Sequence, residues 1–392
     1  MTTNTLLAPP KISSPEFKQR IERARELMRE QNLDVLLVNA NEADAANVRY
    51  FSDYWTLFEM AGVAITAHGA ALLIGPESGE YARDRSEIPD IYKLVEYRES
   101  ADPQYPGVSV STFESVFKDL GVAEPKRIGI GGYLVTTVTV IDSLRKTFPG
   151  AEIGNADPLM LKMRSIKSPA EIACLEKACH ISDIAVETIL GKIHPGMTEQ
   201  QAVGIIQEAF YANGAEYEGH PTYVLSGRSS SHAISRPTPK VMQKGELVQL
   251  NIGARVAGYS SSVGLPICLG KMSDDMRRLV EFGLEAHEQT IAWLKGRTPA
   301  SEISINYHQL FVDRGFKDNF LYGPCHGLGL MEVEQPWMEE TSTYNLEPNM
   351  TFQVDTFLEG PEFGLRWENG GRVTDGAFDL FSGKYRRIFE LE

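Results

Sequence analysis

The stretch Val248 to Pro266, VQLNIGARVAGYSSSVGLP, constrains the chain most: two apolar runs of strand character flank a GY turn, the pattern of a β-hairpin. A hairpin of this length commits its half of the chain to an antiparallel sheet. The runs PTYVLSG, ELVQLNIGA and MTFQVDTFL supply its other strands. Helical segments stand between them. Ser168 and Pro169 open one helix, Ile172, Leu175, Cys179 and Ile184 give it an apolar face, and Pro195 and Gly196 close it. Thr198 with Gln201 three residues on is a capping-box pattern for the next, through about Ala212. Ser273 caps a third helix, SDDMRRLVEFGLEAHEQTIAWLKG, and SEISINYHQLFVDRG forms a fourth. Residues 158–392 therefore read as an α+β domain, helices packed on a curved antiparallel sheet.

The first part of the chain has a different rhythm. Ser14 and Pro15 start a helix that carries Ile21, Ala24, Leu27 and Met28 to about Gln31. The short apolar runs DVLLVNA (34–40), VAITAHGAALLI (63–74), KLVEY (93–97) and RIGIGG (127–132) then alternate with helical stretches at STFESVFKDLG and TTVTVIDSLRKTF. That alternation predicts an α/β layer domain over residues 1–157. A chain of 392 residues is long enough for two domains of roughly 100 to 200 residues each.

The 53 acidic and 38 basic residues are interspersed and leave a formal net charge of -15, which makes nucleic acid and anionic membranes poor partners. Cys174, Cys179, Cys268 and Cys325 form no CxxC pair, the usage of a protein with reduced thiols. The opening MTTNTLLAPPKISSPE has no basic segment followed by an apolar one, and no run of about 18 apolar residues occurs. These features predict a cytoplasmic enzyme acting on a small molecule.

In their order and spacing, the entry segment RSIKSPAEI, the hairpin, CHGLG, FQVDT and GLRWENG resemble the creatinase/aminopeptidase family with the pita-bread fold, the M24-type proteins. The resemblance covers the whole chain and implies an α/β N-terminal domain plus an α+β pita-bread C-terminal domain. In the family's metallopeptidases a dinuclear centre takes two aspartates from the hairpin, a histidine from a GHGxG segment and two glutamates from later strands. The matching positions here hold Asn251, Ser262, His326, Asp355 and Glu368. Neutral Asn251 and Ser262 do not replace carboxylates as ligands of hard cations, so the resemblance implies a degenerate metal site. It also puts His232, in SSSHAISRP, in the place of a substrate-facing histidine, and Val333, in MEVEQP, where a second histidine stands.

Creatinase, a metal-free amidinohydrolase of the family, keeps similar histidine and carboxylate positions and has asparagine at the place of Asn251. Its hairpin glutamate falls at Gly264 here. The expectation is a creatinase-like hydrolase of a non-peptide C–N bond in a small polar or cationic nitrogen compound, with no cofactor, not a typical metallopeptidase. Asp355 and Glu368 would orient the positive group, His326 would fix one of them or polarise a carbonyl, and His232 would move protons. Asn251, Ser262, His220 and Arg366 would line the cavity. Trp55 and Phe58 offer aromatic faces to a cation, across a homodimer interface if not simply packed in a core. Two other readings stay open: a mononuclear-metal lyase or hydrolase with one divalent ion on His326, Asp355 and Glu368, and a non-catalytic binding protein on a peptidase scaffold.

Overall fold

The computed structural model describes residues 9–101 and 103–392. Residues 1–8 of the opening segment MTTNTLLAPPKISSPE lie outside the described residues. The chain divides into two compact units, with Ile12–Arg164 as one and Ser165–Glu392 in the other. The boundary expected after residue 157 falls at the first residue of the helix Asp157–Arg164.

In the unit Ile12–Arg164 the described strands are β1 (Val35–Ala40), β2 (Ala61–Thr66), β3 (Ala70–Ile74), β4 (Ile91–Lys93), β5 (Arg127–Gly131) and β6 (Glu152–Asn155). They form one sheet in the order β4-β3-β2-β1-β5-β6. Helices α1 (Ser14–Glu30), α2 (Ala46–Ser52), α3 (Gly79–Arg85), α4 (Phe113–Asp119), α5 (Val138–Thr147) and α6 (Asp157–Arg164) accompany it. The run read as one segment at 63–74 is two strands, because the Thr66 hydroxyl accepts from the backbone of His68 and Gly69 at 3.1 Å each and closes a turn. Strand character at 93–97 stops at Lys93. Val95–Tyr97 is a 3-10 turn that carries the Tyr97 ring inward, where its hydroxyl donates to Asn39 Oδ1 at 2.8 Å.

The second unit adds α7 (Pro169–Leu190), α8 (Glu199–Ala212), α9 (Asp274–Trp293) and α10 (Ala300–Arg314). Its strands are β7 (Tyr217–Glu218), β8 (Tyr223–Ser226), β9 (Leu247–Ile252), β10 (Ala254–Val256), β11 (Tyr259–Ser260), β12 (Val263–Leu269), β13 (Cys325–Gly327), β14 (Glu334–Trp337), β15 (Thr351–Leu358), β16 (Leu365–Val373), β17 (Phe378–Leu380) and β18 (Phe389–Leu391). The large sheet runs β14-β13-β15-β16-β12-β9-β8, with β17 on β16 and β18 on β12. A small sheet, β11-β10-β7, forms from the tip of the hairpin. That tip turns on Ala257 and Gly258, both at positive φ (49° and 87°), the two-residue turn whose twist suits a hairpin.

Helix α7 fixes the hairpin from its side. Ser168 opens the helix as expected and forms with Glu171 a capping box, worth about 1 kcal/mol, and Glu171 also accepts from the Tyr259 hydroxyl at 2.7 Å. About three turns further along the helix, Ser182 Oγ accepts from the Ala254 amide at 2.9 Å and meets Ser261 Oγ at 2.9 Å. The hairpin strands are thereby locked just before Ser262. Apolar side chains of α7, α8 and α9 pack with the large sheet into one core around Ile181, Phe210, Leu250 and Trp367. All four cysteines are free and buried. Among the described residues no helix is long and apolar enough to cross a membrane.

Candidate active site

One row of residues crosses the large sheet. The register sets Asp355 beside Glu368, Glu368 beside Gly264, Gly264 beside Asn251 and Asn251 beside Tyr223. Residues in register share a face of a pleated sheet, so five strands direct this row to one side. Gly264 has no side chain, and across that gap Asn251 Nδ2 donates to Glu368 Oε2. Ser262, two residues before Gly264 and on the same face, donates to the same oxygen at 2.7 Å. His326 on β13 stands opposite Gln353, one step along the face from Asp355. Asp355 is held by the Tyr322 hydroxyl at 2.8 Å and by Arg366 Nε at 3.1 Å, while Arg366 also donates to Tyr322 and to the Ala233 carbonyl. The Arg366 guanidinium lies over the Phe357 ring, 5.2 Å from its centroid.

The opposite face is tied by one histidine. His287 on α9 meets Thr356 Oγ1 at 3.2 Å and Asn369 Oδ1 at 2.9 Å, the residues next to Asp355 and Glu368. Burial pushes its pKa down to about 4, although the Asn369 bond opposes that shift. A depressed folded pKa means that the stability is complete above about pH 6.5 and is lost as pH falls toward 4, where the unfolded chain binds a proton that folded His287 does not. The contribution is on the order of 3 kcal/mol. His287→Gln is neutral throughout, so the stability gap between wild type and variant, read by urea unfolding, should narrow between pH 7 and pH 5. A gap independent of pH would remove His287 as a source of acid sensitivity.

Above the row lies a cavity of 440 Å³. His220, Asn251, His326, Asp355, Arg366 and Glu368 line it, and Pro221, Tyr223, Ile234, Leu321, Val333 and Trp337 give it apolar walls. His326 Nδ1 donates to the Gly327 carbonyl at 2.9 Å and turns Nε2 toward Glu332 and Glu368, 3.8 Å from each. Burial works to lower the His326 pKa, but the charges of Glu332, Asp355 and Glu368 outweigh it and lift it to about 9. Burial likewise works against ionised Glu368, yet the His326 imidazole and the Arg366 guanidinium hold it down to about 2. Asp355 is raised by burial against the pull of Arg366, and Glu332 is raised well above the carboxylate range by burial and the charge of Glu368. Three buried carboxyl groups therefore share two cationic neighbours, the Arg366 guanidinium and the His326 imidazole.

One ligand atom from each of His326, Asp355 and Glu368 lies within 4.8 Å of the other two. An imidazole and two carboxylates around an open position fit a divalent ion such as zinc, iron or manganese. Asn251 and Ser262 contribute neutral oxygens beside them.

The expected residues separate into two groups. Asn251, Ser262, His220, Arg366, His326, Asp355 and Glu368 come together; His220 Nε2 lies 3.1 Å from Ser262 Oγ. His232 does not join them. The 3-10 turn Gly227–Ser231 ends at His232 and sends its side chain into solvent, where Nδ1 lies 3.4 Å from Ser235 Oγ; Ala233 and Ile234 face the cavity instead. The proton-carrying role expected of His232 is corrected on that ground. Trp55 and Phe58 belong to the other unit, where Arg49 lies over the Trp55 ring at 5.3 Å and Phe58 is 77% exposed. Glu332 and Tyr322 were missed from the sequence. The signal for Glu332 was its place in MEVEQP, where the neighbouring Val333 drew the comparison.

Residues 173–375 match the model of metallopeptidase family M24, and residues 20–166 match that of the Creatinase/Prolidase N-terminal domain. A protein named Xaa-Pro dipeptidase from Pyrococcus furiosus is 25% identical over 362 residues, covering 92% of this chain and 97% of the relative. The crystal structure of the prolidase from Pyrococcus horikoshii OT3 superposes with a TM-score of 0.80 at 24% identity, covering 95% of this chain and 99% of that one. The Xaa-Pro dipeptidase from Bacillus anthracis gives 0.81 at 24%, covering 96% and 100%. The fold is a creatinase-type N-terminal domain followed by a pita-bread C-terminal domain.

These relatives overturn the expected chemistry. A non-peptide C–N hydrolase without a dinuclear metal centre, unlike a typical metallopeptidase and free of cofactor, conflicts with full-length relatives named as Xaa-Pro dipeptidases and with the metallopeptidase family itself. The error came from taking the two neutral hairpin residues as loss of the metal and assigning the remaining acids, Asp355 and Glu368, to a cationic substrate instead. The match at 173–375 takes in a little over half of the sequence, and the chain belongs to metallopeptidase family M24.

Proposed function

We propose that this protein hydrolyses the peptide bond of short peptides, Xaa-Pro dipeptides first among them, using a divalent ion held by His326, Asp355 and Glu368. One observation carries the reading: the three ligand groups converge at the base of a 440 Å³ cavity with apolar walls, a volume suited to a dipeptide. Such an ion, when bound, supplies carbonyl polarisation and a more acidic water. The chain's own groups do the rest. Asn251 and Ser262 orient the Glu368 carboxylate, while Tyr322 and Arg366 orient Asp355. His220 Nδ1 donates to the Pro221 carbonyl at 2.7 Å, which makes Nε2 the unprotonated nitrogen, 3.1 Å from Ser262 Oγ at the edge of the cavity. Burial lowers the His220 pKa, so Nε2 is free to accept the proton of the attacking water and return it to the leaving nitrogen. Pro221, Ile234 and Trp337 line the cavity and offer apolar contact to a proline ring.

On this reading the hairpin half of the site is degenerate, with Asn251 and Ser262 as neutral donors. The domains divide near residue 157, and the protein works in the cytoplasm as a homodimer. Four buried free thiols support a reducing compartment, and exposed Leu57 and Phe58 support a contact between copies. The test is release of proline from Leu-Pro, Met-Pro and Ala-Pro by protein loaded in turn with manganese, cobalt, zinc and iron, with Leu-Leu and Ala-Ala as comparison. Metal-dependent cleavage favouring the proline peptides is expected. No cleavage of any dipeptide under any loading would refute the proposal.

A further inference from the structure

The turn between β13 and β14 brings a third acid to the cavity. Glu332 is 8% exposed, it lines the cavity, and its Oε1 atom is buried without a hydrogen-bond partner. That atom lies 3.8 Å from His326 Nε2, the same distance that separates His326 Nε2 from Glu368 Oε1. These contacts are too long for hydrogen bonds. They are close to the spacing of neighbouring ligands around one ion: with bonds of about 2.1 Å, adjacent donor atoms sit roughly 3–3.5 Å apart. Asp355 Oδ1, on the other side of the trio, is buried and has the Arg366 Nε ion pair at 3.1 Å as its contact.

The backbone that delivers Glu332 is firmly held. Two residues on, Glu334 pairs with Lys167 at 2.9 Å, both side chains nearly inaccessible, and Glu334 also accepts from the Met331 amide. Charge points the same way. The carboxylates of Glu332, Asp355 and Glu368 are balanced by one divalent ion and the Arg366 guanidinium, and buried charge without such balance is strongly disfavoured.

We propose that Glu332 is a fourth protein ligand for the cation held by His326, Asp355 and Glu368, supplied by the β13–β14 turn on the side away from the hairpin. The proposal rests on the metal-dependent reading above and assigns a role to a residue outside the expected ligand set. A histidine with three carboxylates is a hard, oxygen-rich set that suits manganese.

The experiment is manganese binding to metal-free protein, by calorimetry and by the Mn(II) electron paramagnetic resonance spectrum, for wild type, Glu332→Gln and Glu332→Asp. Coordination by Glu332 predicts an affinity lower by ~10-fold or more in Glu332→Gln, the scale on which changes close to a metal act. Glu332→Asp keeps the charge but withdraws the oxygen, so it too should bind less tightly and show an altered spectrum. Thermal unfolding of the metal-free variants should match or exceed wild type, separating ligand loss from misfolding. Equal manganese affinity in all three proteins would overturn the role. So would unchanged metal binding in Glu332→Gln with a raised KM for Leu-Pro but not for N-acetyl-Leu-Pro, which would assign Glu332 to the substrate ammonium. Wild type that binds none of manganese, cobalt, zinc and iron would overturn both this inference and the proposed function.

Discussion

Glu368→Gln is expected to lower kcat/KM for Xaa-Pro dipeptides by about 10³-fold or more while lowering stability at neutral pH far less than it lowers activity. The two effects separate because Glu368 has two kinds of neighbour. Asn251 and Ser262 both donate to Oε2, and a glutamine carbonyl can accept from both. The fold therefore loses little. Toward His326 the variant turns an amide where a carboxylate stood, removing a charged oxygen from the cation site. Relief of repulsion with Glu332 and Asp355 offsets only part of the pull of His326 and Arg366, which holds Glu368 down to about 2, so the charge itself stabilises the fold at neutral pH and its loss costs some stability. Urea unfolding and steady-state kinetics on the same preparation read both quantities. A variant that unfolds more easily yet keeps its activity would make Glu368 a structural residue.

What the sequence could reveal depended on whether the signal was local. The capping box at Thr198, the hairpin and the helix that begins after Ser273 are written in adjacent residues and appear where expected. His326, Asp355 and Glu368 lie on three strands, and only the order of family-like segments linked them before the register placed them on one face. The choice between His220 and His232 was not local. Each follows a polar stretch ahead of the hairpin, and which one points inward is decided by the 3-10 turn at Gly227–Ser231 and by Arg366, which grips the Ala233 carbonyl from another strand. Glu332 was equally hidden, since its relation to His326 follows from the Lys167–Glu334 pair, a contact between residues far apart in sequence. Function was misread for a related reason. The neutral side chains of Asn251 and Ser262 and the acids Asp355 and Glu368 could be seen singly, but whether those acids face a metal or a substrate cation is not written in any one segment.

Gly264 carries the second large effect. A Cβ placed there would lie 2.5 Å from Glu368 Cβ, 3.0 Å from the Glu368 amide nitrogen and 3.2 Å from Asn251 Nδ2. Two of these three atoms belong to the start of the Glu368 side chain and its backbone, which the pairing of β12 with β16 and of β16 with β15 holds in place. Neither can swing aside as a long side chain could, so Gly264→Ala has to separate β12 from β16 or push the Glu368 carboxylate out of the row. Overpacking of this kind costs about 1–3 kcal/mol, and a displacement of about 1 Å at a reacting centre is enough for a loss of ~100-fold in rate. The expected result is a lower unfolding midpoint together with a fall in kcat, because the Asn251 bond to Glu368 passes across this residue. Gly150→Ala is the matched control, since a Cβ there meets nothing within 4 Å. If Gly264→Ala behaves like Gly150→Ala in both measurements, the close packing of β12 against Glu368 is not what holds the carboxylate in position, and the row across the sheet loses its role in setting the site.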